Sequence, residues 1–277
     1  MHSSKAVLIT GCSSGIGLAT AQLLQKRGWQ AIAGVRKSGD VERLTHMGLQ
    51  AVRLNIADPD SIASALNATL TLTGGRLDAL VNNAGIAIPG AVEDLSREIL
   101  QHQFDTNLFG TLELTNSILP VMRRQGHGRI VMISSILGRV AIPWRGAYAA
   151  SKFALEALTD SLRMELHGTG IRVSLICPGP VKSHFRDNSL ANFDEYVDAA
   201  SSPHRERYAL LRAQTGENKD RTPFTVSSDA VARVISRLLE SGHPKARYYV
   251  TVPAHALALL RCMLPARWLD ALLRNIE

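Results

Sequence analysis

Short apolar runs alternate along this chain with longer stretches whose apolar positions recur every three or four residues. The runs fall at 6–10, 31–35, 51–56, 77–81, 129–134, 171–177 and 247–251. Runs of this length, rich in Val, Ile, Leu and Ala, read as strands covered on both faces. Between them, 18–26 reads as a helix stopped by Gly28. Asp58-Pro59-Asp60 opens another that runs to about residue 73, with Pro59 suited to its first turn. Longer helices are predicted over 97–125 and from Tyr148 to about 167. Ser228 is placed to cap a helix over 229–240, with Gly242 ending it. Strand followed by helix, repeated, predicts an α/β chain. Its expected architecture is one doubly wound parallel sheet of about seven strands flanked by helices.

Composition narrows the partners. The chain has 277 residues, enough for one large domain, and is 45% hydrophobic and 20% charged. Its 31 basic and 24 acidic residues give a net charge of +7, which suits a phosphate-rich ligand or an anionic surface. The basic residues are dispersed and aromatics make up 5%, which argues against a nucleic-acid groove with stacking platforms. Cys12, Cys177 and Cys262 lie far apart, with neither metal-ligand nor disulfide spacing, and no metal site is expected. No apolar run approaches the roughly 20 residues that span a bilayer. The first residues lead straight into an apolar strand without a signal peptide, so a cytoplasmic protein is expected.

The first strand runs into Thr10-Gly11-Cys12-Ser13-Ser14-Gly15-Ile16-Gly17 and then a helix. Strand, glycine-rich turn and helix present free backbone N–H groups to a pyrophosphate. Gly11 permits the turn, Gly15 close approach to phosphate, and Gly17 helix-to-strand packing. The next strand ends at Arg36-Lys37, where an acidic residue would bind an adenosine ribose 2′-hydroxyl. Arg36 can instead meet a 2′-phosphate with a charge-assisted fork, which predicts NADP(H) rather than NAD(H). Tyr148 and Lys152 are four residues apart on a predicted helix, roughly 6 Å along its axis. An ammonium so placed is expected to lower the phenol's pKa from about 10 and make the pair a proton donor and acceptor.

TGCSSGIG at 10–17, NNAG at 82–85, Asn107, Ser135 thirteen residues before Tyr148, YAASK at 148–152 and PGPVKS at 178–183 occur in this order. Over about 5–183 the chain thereby resembles the short-chain dehydrogenase/reductase family, a Rossmann-type fold. The branches it most resembles are bacterial NADP-dependent aldehyde reductases and the steroid and retinol dehydrogenases. The resemblance implies that Tyr148 is the acid/base, that Lys152 lowers its pKa and holds the nicotinamide ribose, and that Ser135 donates to the substrate oxygen. It implies that Asn107 holds a water behind Lys152. Cofactor contacts are implied for Gly11, Ser13, Ser14, Gly15, Ile16, Gly17, Arg36, Asn55, Ile56, Asn82, Ala84, Tyr148, Lys152, Pro178, Gly179, Val181 and Ser183. Asn55 stands where the family usually has aspartate, and Ser183 where it often has threonine; each keeps an oxygen acceptor or hydroxyl. The implied substrate contacts are Ser135, Leu137, Trp144, Tyr148 and Phe185, which suit a small apolar carbonyl or alcohol compound. A steroid or retinol dehydrogenase, a 3-oxoacyl reductase and a non-catalytic NADP(H) sensor are the alternatives.

From about 182 to 226 the chain turns polar and irregular, with Phe185, Phe193, Tyr196, Tyr208 and Leu210 interspersed. This segment is expected to form a lid of short helices on a domain that spans 1–252. Residues 253–277 form an amphipathic helical extension with three open readings. It packs on its own domain or a second subunit, it walls an apolar pocket, or it lies on a membrane surface. Family members are commonly dimeric or tetrameric through helices at about 97–125 and 148–167, so a homodimer or homotetramer is expected.

Overall fold

The computed structural model describes residues 4–217 and 224–274. Residues 218–223 of the expected lid and the last three residues of the expected tail lie outside them. The strands among the described residues are β1 (Ala6–Thr10), β2 (Gln30–Val35), β3 (Gln50–Arg53), β4 (Ala79–Asn82), β5 (Gly128–Ile133), β6 (Ile171–Cys177), β7 (Val181–Lys182), β8 (Val226–Ser227) and β9 (Arg247–Tyr249). Seven form one parallel sheet in the order β3-β2-β1-β4-β5-β6-β9. The order reverses between β1 and β4, and a crevice at such a switch point is where open α/β sheets bind ligands.

The helices are α1 (Gly15–Lys26), α2 (Ser38–His46), α3 (Pro59–Leu72), α4 (Arg97–Phe104), α5 (Gly110–Gln125), α6 (Gly146–Glu165), α7 (Phe185–Tyr196), α8 (Arg205–Glu217), α9 (Ser228–Glu240), α10 (Val252–Met263) and α11 (Ala266–Leu273). Alternation along β1 divides the core. Leu8 joins Leu80, Ile130, Leu114, Ile118 and Leu155 under α3, α5 and α6. Val7 and Ile9 join Val81, Leu24, Leu44 and Ile235 under α1, α2 and α9. Each such buried side chain contributes roughly 1.5–3 kcal/mol, so both faces of the sheet are firmly covered.

The local signals hold where they are strong. Asp58 caps α3 by accepting from the amides of Asp60 and Ser61, with Pro59 in the first turn. Four details differ from the sequence reading. The reading has no element between β2 and β3, where α2 lies; only Leu44 of α2 is buried, too little periodicity to register. The expected helix over 97–125 is interrupted by a π-helical turn at Asp105–Phe109. There α5 presses on the loop after β3: a Cβ on Gly110 would stand 1.6 Å from the Ile56 carbonyl oxygen. The cap of α9 is Ser227 rather than Ser228, because it is the Ser227 hydroxyl that accepts the Ala230 amide. The tail is two helices broken at Leu264-Pro265, not one, and it begins at Val252 behind the Thr251 cap.

The lid segment is clamped at its base, where β7 pairs with β8 (Val181↔Val226, Lys182↔Ser227). Its helices α7 and α8 rest on the segment after β4: Phe193, Val197 and Tyr208 pack with Ile88, Ala91 and Ile99. The tail packs on its own domain, burying Ala254, Ala258, Leu269 and Leu273 against Ile136 and Val140. No helix among the described residues is long and apolar enough to cross a membrane.

Candidate active site

The site forms at the carboxyl ends of β1, β4, β5 and β6. Gly11 and Gly15 take φ of +70° and +60°, a region that favours glycine. A Cβ on Gly17 would lie 2.4 Å from the Gly11 oxygen, so α1 can begin there only without a side chain. Ser14 precedes α1 and no side chain caps it. A Cβ on Gly15 would come within 3.2 Å of the Ser183 Cβ, so the PGPVKS loop faces the glycine-rich turn. Thr10 locks the turn to the NNAG loop: its hydroxyl accepts the amides of Asn83 (2.9 Å) and Ala84 (2.8 Å). The Asn83 side chain donates to the carbonyls of Thr10 (2.9 Å) and Gly11 (3.1 Å). These features make a rigid cradle of glycine backbone at a helix N-terminus, which fits a dinucleotide pyrophosphate.

Around the cradle the expected contacts are distributed unevenly. Arg36 is exposed at the end of β2, with Lys37 beside it. Arg43, on the unforeseen α2, donates to the Ser13 carbonyl (2.7 Å) and pairs with Asp40 (2.8 Å), adding a second cation at this edge. Asn55 is half-buried, and its amide donates to the Ser61 hydroxyl (2.9 Å). Asn82 points into the core, donating to Thr115 Oγ1 (2.9 Å) and to Met132 Sδ (3.2 Å), while its buried Oδ1 has no hydrogen-bond partner among the described residues. The Pro178 carbonyl accepts the Ile136 amide (2.8 Å).

Tyr148 lies in the first turn of α6, and Ser135, just after β5, is near enough to favour its phenolate. Lys152 is buried one turn further on, donating to the Ile133 carbonyl (2.9 Å), with Nζ 5.7 Å from the Tyr148 ring centre. The structure corrects the expected electrostatics of this pair. Desolvation dominates and pushes the phenol up to about 12, while the Ser135 hydroxyl and the nearby Arg145 guanidinium pull it down. Burial brings the Lys152 ammonium down to about 8, opposed by Cys177 and Glu156. Arg145, three residues ahead of Tyr148, thus joins Lys152 as a cation beside the phenol.

Asn107 sits in the π-helical turn. Its Oδ1 accepts the Ile86 amide (2.8 Å), and its Nδ2 donates to the Ile86 carbonyl (2.9 Å) and to Ser151 Oγ (3.0 Å). It comes together with Lys152 at Gly85, where a Cβ would lie 3.3 Å from Asn107 Oδ1 and 3.7 Å from Lys152 Nζ. On the substrate side, the Phe185 ring at the start of α7 stands 5.6 Å from the Tyr148 ring. Leu137 packs towards the tail instead. Trp144, at φ +65°, turns to the lid and meets His204 and Tyr208 edge-on at 5.2 and 5.8 Å.

The short chain dehydrogenase family model matches residues 5–193. The chain belongs to this family. An oxidoreductase of Escherichia coli strain K12, YbbO, is 41% identical over 271 residues, covering 98% of this chain and 94% of that protein. Retinol dehydrogenase 8 of Bos taurus is 34% identical over 277 residues, covering 95% and 86%. A short chain dehydrogenase/reductase from Burkholderia phymatum, solved in complex with NAD, is 25% identical with a TM-score of 0.79, covering 100% of this chain and 98% of that one. The fold is therefore a dehydrogenase/reductase fold and the chain an oxidoreductase with a nicotinamide-cofactor fold.

Four residues that the sequence reading did not single out take part in the site: Thr10, Asn83, Ser151 and Arg145. Asn83 and Ser151 sit inside quoted motifs. Thr10 opens the quoted TGCSSGIG, and Arg145 lies three residues ahead of YAASK, with no local pattern that distinguishes it from an ordinary helix-start residue.

Proposed function

We propose that this chain reduces a small apolar aldehyde or ketone with NADP(H), Tyr148 acting as the acid. The observation that carries the reading is the Tyr148 phenol beside the Phe185 ring (5.6 Å), with Lys152 one turn along α6 and the Ser135 hydroxyl favouring the phenolate. A carbonyl oxygen that takes the place between the two hydroxyls gains two donors as negative charge develops on it. With its phenol raised to about 12, Tyr148 is fully protonated at neutral pH and ready to donate. Lys152, near 8, then sets the alkaline limit, since its ammonium form steadies the phenolate that is left behind.

The cofactor, once bound, supplies the hydride. Gly11, Gly15 and the start of α1 would hold its pyrophosphate, and Ser183 and Pro178 its nicotinamide side. Arg36, with no acidic residue at the end of β2, supports a 2′-phosphate and hence NADP(H). The likeness to bovine retinol dehydrogenase 8 supports a retinoid or sterol alcohol as a second substrate class. Two exposed faces support further contacts. Phe109, Phe153, Leu158 and Met164 on or beside the long helices suit a homodimer or homotetramer. Val252, Leu259, Met263 and Trp268, flanked by Arg261 and Arg267, suit peripheral contact with an anionic membrane. Sedimentation of the full chain with and without anionic vesicles tests both.

The deciding experiment is NADPH oxidation over a panel of aldehydes, apolar ketones and retinoids, wild type beside Tyr148→Phe. A general acid contributes about 10²–10⁴-fold, so the variant is expected to lose about 10³-fold in kcat while still binding NADPH. Turnover that survives in Tyr148→Phe overturns the assignment of the acid. Tight NADPH binding without tyrosine-dependent turnover on any substrate would support the sensor alternative.

A further inference from the structure

Glu156 stands on α6 one turn beyond Lys152 and is 3% exposed. A carboxylate removed from water costs several kcal/mol unless it is paired and hydrogen-bonded, so its partners carry information. Its Oε1 accepts from Ser134 Oγ (2.9 Å) and Cys177 Sγ (3.3 Å). Its Oε2 accepts from Arg247 Nη2 (2.9 Å), and Arg139 Nη1 stands 4.0 Å away. The same Arg247 nitrogen donates to Asp160 Oδ2 (3.0 Å), whose Oδ1 accepts from Arg163 (3.0 Å).

Each partner adjoins a functional residue. Ser134 immediately precedes Ser135. Cys177 immediately precedes Pro178 and Gly179. Arg247 begins β9, which leads to Thr251, and a Cβ on Gly179 would lie 2.2 Å from Thr251 Oγ1. The turn after Ser135 closes down on the same carboxylate: a Cβ on Gly138 would lie 2.7 Å from Ser134 Oγ and 2.8 Å from Glu156 Oε1. One buried carboxylate therefore ties the ends of β5, β6 and β9 to the helix that carries Tyr148 and Lys152.

We propose that Glu156, held by Arg247, is a positioning residue for the reaction, fixing Ser135 against Tyr148 and keeping Lys152 in its ammonium form. The proposal rests on the roles given above to Tyr148, Ser135 and Lys152. The groups around Lys152 leave the second task to Glu156. On its own helix it faces Tyr148 and Glu156, and from β6 it faces Cys177. The π-helical turn and β5 offer it only the neutral Asn107 and the Ile133 carbonyl. Around Glu156 itself stand Arg247, Arg139, Cys177 and, through Arg247, Asp160. Among the described residues that face Lys152, only Glu156 is a carboxylate. Cys177 has its thiol pushed far up by burial and stays protonated.

The test uses the full chain and the pH profile of kcat for carbonyl reduction. In Glu156→Met/Arg247→Met an apolar pair replaces the buried ions, an exchange that is often neutral for stability. The expected result is a folded protein that binds NADPH as wild type does. Its kcat falls about 10–100-fold, the scale of a small misplacement of reacting groups. Its alkaline limb moves down from about 8 by about one pH unit, because an uncompensated buried ammonium loses its proton earlier. If the double variant does not fold, the limb is read in Glu156→Gln, which keeps an acceptor for Ser134 and Cys177 but lacks the charge. Arg247→Lys keeps the charge partner and is expected to hold both kcat and the limb near wild type. An unshifted limb with unchanged kcat in the folded double variant, or an unshifted limb in Glu156→Gln, overturns the proposal. Tyr148→Phe, run alongside, tells this failure from failure of the underlying reading: its loss of turnover upholds the acid whatever Glu156 does.

Discussion

The nucleotide side and the substrate side of this molecule are held in place by different kinds of interaction. On the nucleotide side, short polar side chains meet main chain: the Thr10 hydroxyl and the Asn83 amide bond backbone groups of Asn83, Ala84, Thr10 and Gly11 and lock the end of β1 to that of β4 at 2.8–3.1 Å. On the substrate side, α7, α8, α10 and α11 lie on apolar patches and are joined to the domain by a few side-chain contacts. The first arrangement allows almost no variation in residue type, because a methylene too many meets a main-chain atom. The second needs only apolar side chains of suitable volume. One domain thereby combines a fixed cofactor cradle with an adaptable cover.

The largest effect that would sharpen this contrast comes from Gly17→Ala. The new Cβ would meet the Gly11 oxygen at 2.4 Å and Asn83 Nδ2 at 2.6 Å, and the oxygen belongs to the main chain and cannot swing aside. The expected cost is about 3 kcal/mol in denaturant unfolding, the upper part of the overpacking range, together with loss of NADPH binding. A stable variant that binds the cofactor normally would show the cradle to be less rigid than its contacts imply.

Arg36→Ala should do less, and to one cofactor only. Arg36 is exposed, so its fork to a 2′-phosphate is set at about 1.5 kcal/mol, or about tenfold in affinity. Fluorescence titration is expected to show NADPH weakened and NADH unchanged. Equal loss for both, or for neither, would move the preference away from NADP(H). If NADPH weakens less than expected, Arg43 is the neighbour to test, since it already reaches the Ser13 carbonyl.

The same contrast explains what could be read from the sequence. The sheet was legible because strands covered on both faces must be continuously apolar, and β1 and β6 begin and end where their apolar runs do. The cradle was legible because glycine is the only residue that meets its backbone demands. The π-helical turn around Asn107 was not: where it meets α5, Gly110 packs on the carbonyl of Ile56, some fifty positions away in the chain. Glu156 was not either: inside RGAYAASKFALEALTDSLRMEL it looks like any helix glutamate, and Ser134 just after β5, Cys177 in β6 and Arg247 in β9 reach it from distant parts of the chain. The lid helices and the break in the tail were blurred because their apolar positions suit several packings equally well. The expected lowering of the Tyr148 phenol failed for a related reason: spacing gives the cation's position, but not how much water the fold removes.

The smallest effect tests the cover. The Tyr208 hydroxyl on α8 accepts the buried Ala91 amide (2.7 Å) and donates to Asp94, which also accepts from Ser202 (2.7 Å). Tyr208→Phe keeps the ring that packs on Trp144 and Phe193 and leaves the Ala91 N–H without its partner. An unsatisfied buried donor costs about 1–3 kcal/mol. Because α8 is held to the domain at few points, that cost should fall on lid docking rather than on global unfolding. The expected outcome is a several-fold rise in KM for the carbonyl substrate, with kcat and NADPH affinity unchanged and faster amide exchange confined to α8 and 91–94. If the loss instead appears in global stability or in NADPH binding, the cover and the cradle are one cooperative unit, and the division drawn here between them fails.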